Sequence, residues 1–105
     1  MKFLPPDNLI QQPVRFAIMA YLMRADDGVA SFPDVLRAIK QNPGGLATHG
    51  ALLEQAGYIK YRKTFKDRRP HTVLMLTTKG RAAFAEHKAK LDAMSAPAKM
   101  VEASA

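Results

Sequence analysis

Six basic side chains crowd the segment from Lys60 to Arg69, which holds a single acid, Asp67. Guanidinium and ammonium groups at this density suit the binding of phosphates along a nucleic-acid backbone. The alternative is a solvated surface with ordinary charge. We take the six side chains as candidates for phosphate contact, with Arg68 or Arg69 as the candidates to enter a minor groove. The six residues are Lys60, Arg62, Lys63, Lys66, Arg68 and Arg69.

The basic segment lies between two strand-like runs, Tyr58–Thr64 and His71–Leu76, which predict a β-hairpin with its turn around Lys66–Pro70. Successive residues of a strand point to opposite faces, so Val73 and Met75 are expected to point outward. The core face is expected to carry Ile59, Tyr61, Leu74 and Leu76. The hairpin therefore presents its cations at the tip.

Helical patterns occupy most of the remaining chain. Asp7 is placed to cap a short turn over Asn8–Gln11, and Asn42–Gly45 is expected to be a turn between helices. Apolar residues at helical spacing predict four longer helices. These run from Pro13 to about Arg24, from the cap Ser31 to Gln41, from Leu46 to Ala56, and from Thr78 to about Met94. In the third of them, the side chains expected to face the core are Leu46, Leu52 and Leu53.

This order of elements predicts a fold that is mainly α with a small β-hairpin (α+β). It is a winged helix-turn-helix with an added C-terminal helix. In such a fold the helix over residues 44–56 lies in the major groove of DNA. The basic wing, residues 60–70, lies on the backbone or in the minor groove. We expect one domain over residues 1–94 and a flexible tail over residues 95–105.

Composition narrows the class of partner. The chain of 105 residues has a net charge of +7, and the whole excess lies in residues 60–105, which hold eleven basic and four acidic residues. A one-sided field of this kind attracts polyanions. Cysteine is absent, which excludes disulfides and thiolate zinc sites. The longest apolar run, Phe16–Met23, is too short to span a bilayer, so we expect a cytoplasmic protein with no membrane segment.

The residue pattern gives no support for a catalytic or cofactor site. No glycine-rich phosphate loop follows a predicted strand, and the nine acidic residues are scattered. His49, His71 and His87 stand on different predicted elements without the spacing of metal ligands. We therefore predict no enzyme activity, no metal, no cofactor and no obvious small-molecule effector.

Several short motifs along the chain form a specific combination. They are Pro13-Val14-Arg15, Leu46-Ala47-Thr48-His49, Leu53-Glu54-Gln55-Ala56-Gly57-Tyr58-Ile59, Arg68-Arg69-Pro70 and Leu76-Thr77-Thr78-Lys79-Gly80-Arg81. Together they resemble the small winged-helix transcriptional regulators related to the MarR and ArsR families, over roughly residues 7–94. The resemblance implies a DNA-binding transcription regulator, commonly a homodimer whose first and last helices form the interface.

The last predicted helix carries more apolar surface than one helix packed on a small domain needs. Phe84, Leu91 and Met94 lie on it among many alanines. We predict that it pairs with the helix over residues 13–24 across a two-fold axis. Phe84, Leu91 and Met94 then belong to a dimer interface.

The predicted recognition helix departs from the family pattern because Gly44–Gly57 contains no Lys or Arg. The common arginine–guanine contact is therefore unavailable from this helix. Thr48 and His49 are the candidates for contact with base edges or phosphate. We predict a dimeric DNA-binding transcriptional regulator that acts as a repressor. The alternatives are a winged-helix protein-interaction module, in which this helix docks on another protein, and a non-specific nucleic-acid binder.

Overall fold

The computed structural model describes residues 7–104, with side chains over residues 7–94. The helices of this part of the chain are α1 (Asn8–Gln11), α2 (Pro13–Arg24), α3 (Phe32–Ile39), α4 (Pro43–Gln55) and α5 (Thr78–Ser104). Its strands are β1 (Val29–Ser31), β2 (Ile59–Lys66) and β3 (Arg69–Leu76), with a 3₁₀ turn, Asp26–Gly28, before β1. The predicted α+β order of a winged helix with an added C-terminal helix is confirmed.

The start of α4 differs from the prediction by three residues. The Asn42 side chain accepts a hydrogen bond from the backbone N–H of Gly45 at 2.7 Å, which caps the helix. Pro43 occupies the first helical turn, where a missing N–H costs nothing. The predicted turn over Asn42–Gly45 is therefore wrong, and both of its glycines belong to α4.

The wing is longer, and its turn tighter, than the sequence predicted. β2 and β3 pair antiparallel along their whole length, and only Asp67 and Arg68 lie between them. Both residues have positive φ, 52° and 65°. Such a two-residue turn follows the right-handed twist of the flanking strands. The turn lies within the predicted stretch around Lys66–Pro70 but is shorter, because Lys66, Arg69 and Pro70 pair within the two strands.

A third strand covers the far edge of the hairpin. The sheet order is β1-β3-β2, and β1 pairs with β3 through Val29 opposite Met75 and Ser31 opposite Val73. Directly opposite residues share a face of the sheet, so β1 side chains flank Val73 and Met75. Both residues are half-buried, which explains why apolar side chains occur on the face turned away from the core.

The core lies between the helices and the inner face of the sheet. Its buried side chains are Ile10, Ile18, Met19, Leu22, Val35, Leu46, Leu53, Ile59, Leu74 and Phe84. The prediction that Leu52 faces the core is wrong, since its side chain is 39% exposed. The buried stripe of α4 runs through Leu46, Gly50 and Leu53. One helical step of about 100° carries Leu52 off that stripe.

Thr77 precedes the last helix and links it to the residues that follow α4. The Thr77 hydroxyl donates to the Gly57 carbonyl at 2.6 Å and accepts from the Gly80 N–H at 2.9 Å. A Cβ on Gly80 would meet the Tyr58 carbonyl oxygen at 2.0 Å, so this close approach requires glycine. α5 runs to Ser104, beyond the predicted end near Met94. The division into a domain over residues 1–94 and a tail over 95–105 stays a prediction.

Candidate nucleic-acid interface

The wing presents all six predicted basic side chains to solvent. Strand alternation sorts them by face: Lys60, Arg62, Lys66 and Arg69 point away from the core, Lys63 lies on the opposite face, and Arg68 lies in the turn. Across the described side chains, salt bridges join Arg37 to Asp34 and Lys90 to Glu86, and none involves the wing. No ion pair among the described side chains therefore competes for the wing cations.

The exposed face of α4 carries small, uncharged side chains until the last turn of the helix. Gly44, Ala47, Thr48 and Ala51 are exposed at helical spacing, and Glu54 follows them. Small side chains let a helix approach another surface closely. Thr48 adds a hydroxyl and a methyl group, which suit base edges and the thymine methyl group.

His49, the second candidate for DNA contact on α4, is half-buried. Its Nδ1 lies 3.1 Å from Nη1 of Arg15, and Nε of Arg15 donates to the Leu9 carbonyl at 2.5 Å. Because a guanidinium group only donates, Nδ1 of His49 is the acceptor, and its Nε2–H is the group left to donate elsewhere. Sequence reasoning missed this role of Arg15, since the contact depends on how α2 crosses α4.

A second polar cluster joins the start of the described chain to α5. The Asp7 carboxylate accepts from the Tyr58 hydroxyl at 2.6 Å and from the Leu9 N–H at 2.8 Å. The backbone N–H of Asp7 donates to Nδ1 of His87, whose side chain is 1% exposed. His87 therefore holds elements together within the core.

These contacts shift the acidity of both partners. Burial alone would raise the pKa of Asp7, but hydrogen bonds from Tyr58 and from the Ile10 and Leu9 N–H groups outweigh it and hold that pKa below its ordinary value. The hydrogen bond to Asp7, and then burial, raise the pKa of Tyr58 to about 12. Both shifts favour the charged carboxylate and the neutral phenol.

A groove of about 660 Å³ runs between α2 and α5. Its apolar lining includes Phe16, Ala20, Met23, Ala85 and Ala89. Phe84, a predicted interface residue, is only 6% exposed, and its ring centroid lies 5.2 Å from that of Phe16. It belongs mainly to the core of its own chain. Leu91 is half-buried, and Met94 is 51% exposed.

Among the residues that the structure describes, no group of three or more His, Asp or Glu side chains could hold a metal ion. Over the same part of the chain, no helix has both the length and the hydropathy needed to cross a membrane. The absence of enzyme activity and of cofactors, and the cytoplasmic location, stay predictions.

Comparisons with known proteins agree with this architecture. A family model described as a winged helix DNA-binding domain matches residues 14–95. A transcriptional regulator homologue from Pyrococcus horikoshii OT3 is 30% identical with a TM-score of 0.75, over 84% of this chain and 85% of that one. S. aureus MepR, solved with DNA, is 18% identical with a TM-score of 0.70, over 93% and 81%. AbsC, a MarR family transcriptional regulator from Streptomyces coelicolor, is 20% identical with a TM-score of 0.64, over 83% and 64%.

A search among curated proteins gives no significant match. The resemblance to winged-helix transcriptional regulators is confirmed. Its MarR and ArsR parts stay predictions, since the likeness to AbsC shows the fold alone. The chain has the fold of a DNA-binding transcriptional regulator, and it belongs to the winged helix DNA-binding domain family.

Proposed function

We propose that this chain is a homodimeric transcriptional repressor that occupies promoter DNA. In this proposal α4 lies in the major groove, and the wing, residues 60–70, lies on the flanking backbone or in the minor groove. The observation that carries the proposal is the wing, whose six cations are exposed and form no salt bridge with any side chain that the structure describes. Double-stranded DNA accounts for both the sign and the position of this charge.

The wing and α4 contribute different parts of the binding. Phosphate contacts supply affinity and register but carry no sequence information directly. The exposed face of α4 lacks arginine and lysine, so base reading there rests on Thr48 and on close approach of the helix backbone. A base contact by His49 through its Nε2–H stays a prediction, as do all the individual phosphate contacts.

The groove between α2 and α5 supports the homodimer. Its apolar lining is open on a helix that also carries the exposed Met94. A second copy of α5 packed in this groove buries apolar surface on both chains around a two-fold axis. Leu91 and Met94, with the edge of Phe84, are then interface residues. The absence of a small-molecule effector stays a prediction.

Fluorescence anisotropy with two duplexes of equal length tests the function. One duplex comes from immediately upstream of this protein's own gene, and the other is its scrambled sequence. We expect tighter binding to the upstream duplex at both a low and a high salt concentration. If about five wing cations meet phosphates, log affinity should fall against log salt with a slope of about −4 to −5. A slope near zero would contradict the assignment of the wing.

Two other functions make different predictions in the same assay. A non-specific nucleic-acid binder binds both duplexes equally and loses both to heparin. A protein-interaction module binds neither duplex well. The uncharged face of α4, with Leu52 exposed beside it, is the observation that favours this last alternative.

A further inference from the structure

The tip of the wing carries an aromatic side chain that phosphate binding does not require. Phe65 is 78% exposed, compared with 51% for Met94 and 39% for Leu52, the other large apolar side chains exposed among the described residues. Single apolar residues on a surface are ordinary. Phe65, however, stands near the end of a hairpin, in the part of β2 and β3 that β1 does not reach.

The hairpin holds this side chain in a defined orientation. Phe65 lies directly opposite Pro70, and the next pair, Lys66 and Arg69, closes the two-residue turn. Directly opposite side chains share a face, so Phe65 and Pro70 form an apolar pair, with Lys63 two residues back on the same face. The proline ring fixes its own φ. The wing therefore carries an apolar pair next to its turn.

The charges around the pair decide which partner fits it. Lys63 shares the face of Phe65, and Arg68 lies in the turn. Lys66 and Arg69 form the next pair, on the opposite face, and Asp67 is the only acid among these residues. A complementary surface must combine an apolar contact with a high density of negative charge. A DNA minor groove has this combination, because stacked bases lie between two rows of phosphates. An anionic lipid surface has it too, but the wing belongs to a DNA-binding fold.

We propose that Phe65 is a minor-groove wedge, whose ring inserts at a base step while the flanking cations bind the phosphates on either side. This inference rests on the proposed function, since it requires the wing to lie on DNA. Apolar wedges partly unstack a step and bend the duplex. Pyrimidine–purine steps deform most easily, so the wing selects sequence by deformability where α4 lacks charged side chains for base reading.

Salt-dependent anisotropy separates the wedge from the cations. Binding to the upstream duplex is measured across a salt series for four proteins. These are the wild type, Phe65→Ala, Phe65→Leu and Lys66→Ala. Phe65→Ala should weaken binding about 10-fold at every salt concentration, since stacking on a base releases no counterions. Its salt slope should equal that of the wild type, and Phe65→Leu should keep part of the affinity as a smaller wedge. Lys66→Ala should instead reduce the slope by about one.

Base unstacking is read directly by 2-aminopurine placed at successive positions of the same duplex. The wild-type protein should raise the fluorescence at one step beside the site of α4, and Phe65→Ala should not. Because Phe65 is exposed, this variant should keep the wild-type circular dichroism spectrum and melting temperature, which excludes unfolding as the cause.

The other outcomes overturn the wedge. In the first of them, the wild type and Phe65→Ala bind DNA with the same affinity, the same salt dependence and the same 2-aminopurine signal. That result rejects the wedge and leaves the proposed function standing. No DNA binding by the wild type rejects both. Unchanged DNA binding by Phe65→Ala, together with lost binding to phosphatidylserine–phosphatidylcholine vesicles, assigns the side chain to a lipid surface instead.

Discussion

Gly50 lies where α4 meets β2, and Tyr61 leaves no room there for a side chain. A Cβ at position 50 would meet the Tyr61 hydroxyl oxygen at 2.0 Å. That oxygen is buried and has no hydrogen-bond partner among the described residues, and burial raises the pKa of Tyr61. The glycine therefore sets the distance between α4 and β2.

We expect Gly50→Ala to destabilise the fold by about 1–3 kcal/mol through overpacking, partly offset by about 1 kcal/mol of better helix propensity. Tyr61→Phe removes the oxygen and leaves Cζ of the ring at 3.1 Å from the new Cβ. In that background Gly50→Ala should cost much less. Urea unfolding of the wild type, both single variants and the double variant forms a complete cycle. Additive effects would contradict the contact.

The hydrogen bond from Tyr58 to Asp7 ties the start of α1 to the end of α4, and it depends on a protonated phenol. The pKa of Tyr58 is about 12 in the folded chain against about 10 when unfolded. A raised folded-state pKa contributes stability that is complete below pH 10 and is lost as the pH rises through 12.

We expect Tyr58→Phe to lower the free energy of unfolding by about 1 kcal/mol at pH 7, because one hydrogen bond is removed. The difference between the wild type and this variant should shrink as the pH rises from about 10 to 12. Urea titrations of both proteins across this pH range measure the difference in the free energy of unfolding. Titration of the lysines affects both proteins equally and cancels in this difference. A difference that stays constant with pH would contradict the assignment.

At the scale of elements, the wing is a stiff hairpin whose charge and shape come from separate residues. Its cations stand on both faces and in the turn, and its single acid, Asp67, occupies a left-handed position with φ 52°. Asn tolerates that backbone as well as Asp does. The wing can therefore lose or gain one unit of charge with its backbone unchanged.

Lys66→Ala and Asp67→Asn form a matched pair for this element. We expect Lys66→Ala to weaken binding to every duplex by a similar factor, with a salt slope smaller by about one. Asp67→Asn should strengthen binding to every duplex, most of all at low salt, because an acid near the phosphates is removed. Anisotropy measures both effects. Opposite or sequence-dependent effects would show that these two positions do not lie along the DNA backbone.

At the scale of the whole molecule, the wing and the apolar groove lie on different elements. The wing carries six exposed cations, and the groove between α2 and α5 has an apolar lining with Arg24, Lys88 and Asp92 beside it. Two separate surfaces suit a dimer in which one surface binds DNA while the other joins two copies. Two half-sites on DNA then match two wings related by the two-fold axis.

We expect Ala89→Arg, which places a charge in the groove, to convert the dimer to a monomer at tens of micromolar. It should also weaken DNA binding, because two linked half-sites bind more tightly than one. Ala38→Arg, on the exposed surface of α3, is the control and should leave the dimer intact. Light scattering measures both. A wild-type monomer at this concentration, or dimers of Ala89→Arg, would contradict the interface.

The sequence by itself determined the elements and the location of charge. Periodicity, caps and turn residues are local properties, so α2 was predicted with its bounds, as was the cap on α3 by Ser31. The charge of the wing was predicted because basic residues are counted directly in the sequence. Its strands were predicted because the alternation of side chains along a strand has a fixed period.

Only the tertiary structure decided how those elements meet. The half-burial of His49 against Arg15, the exposure of Leu52 and the contact of Gly50 with Tyr61 all depend on the angles at which α2 and β2 cross α4. Such angles follow from the packing of many side chains distant in sequence, which no local pattern encodes. The exposed tip at Phe65 was missed for the same reason. The predicted strand ended at Thr64, and the point along the hairpin where the core ends is set by the whole fold.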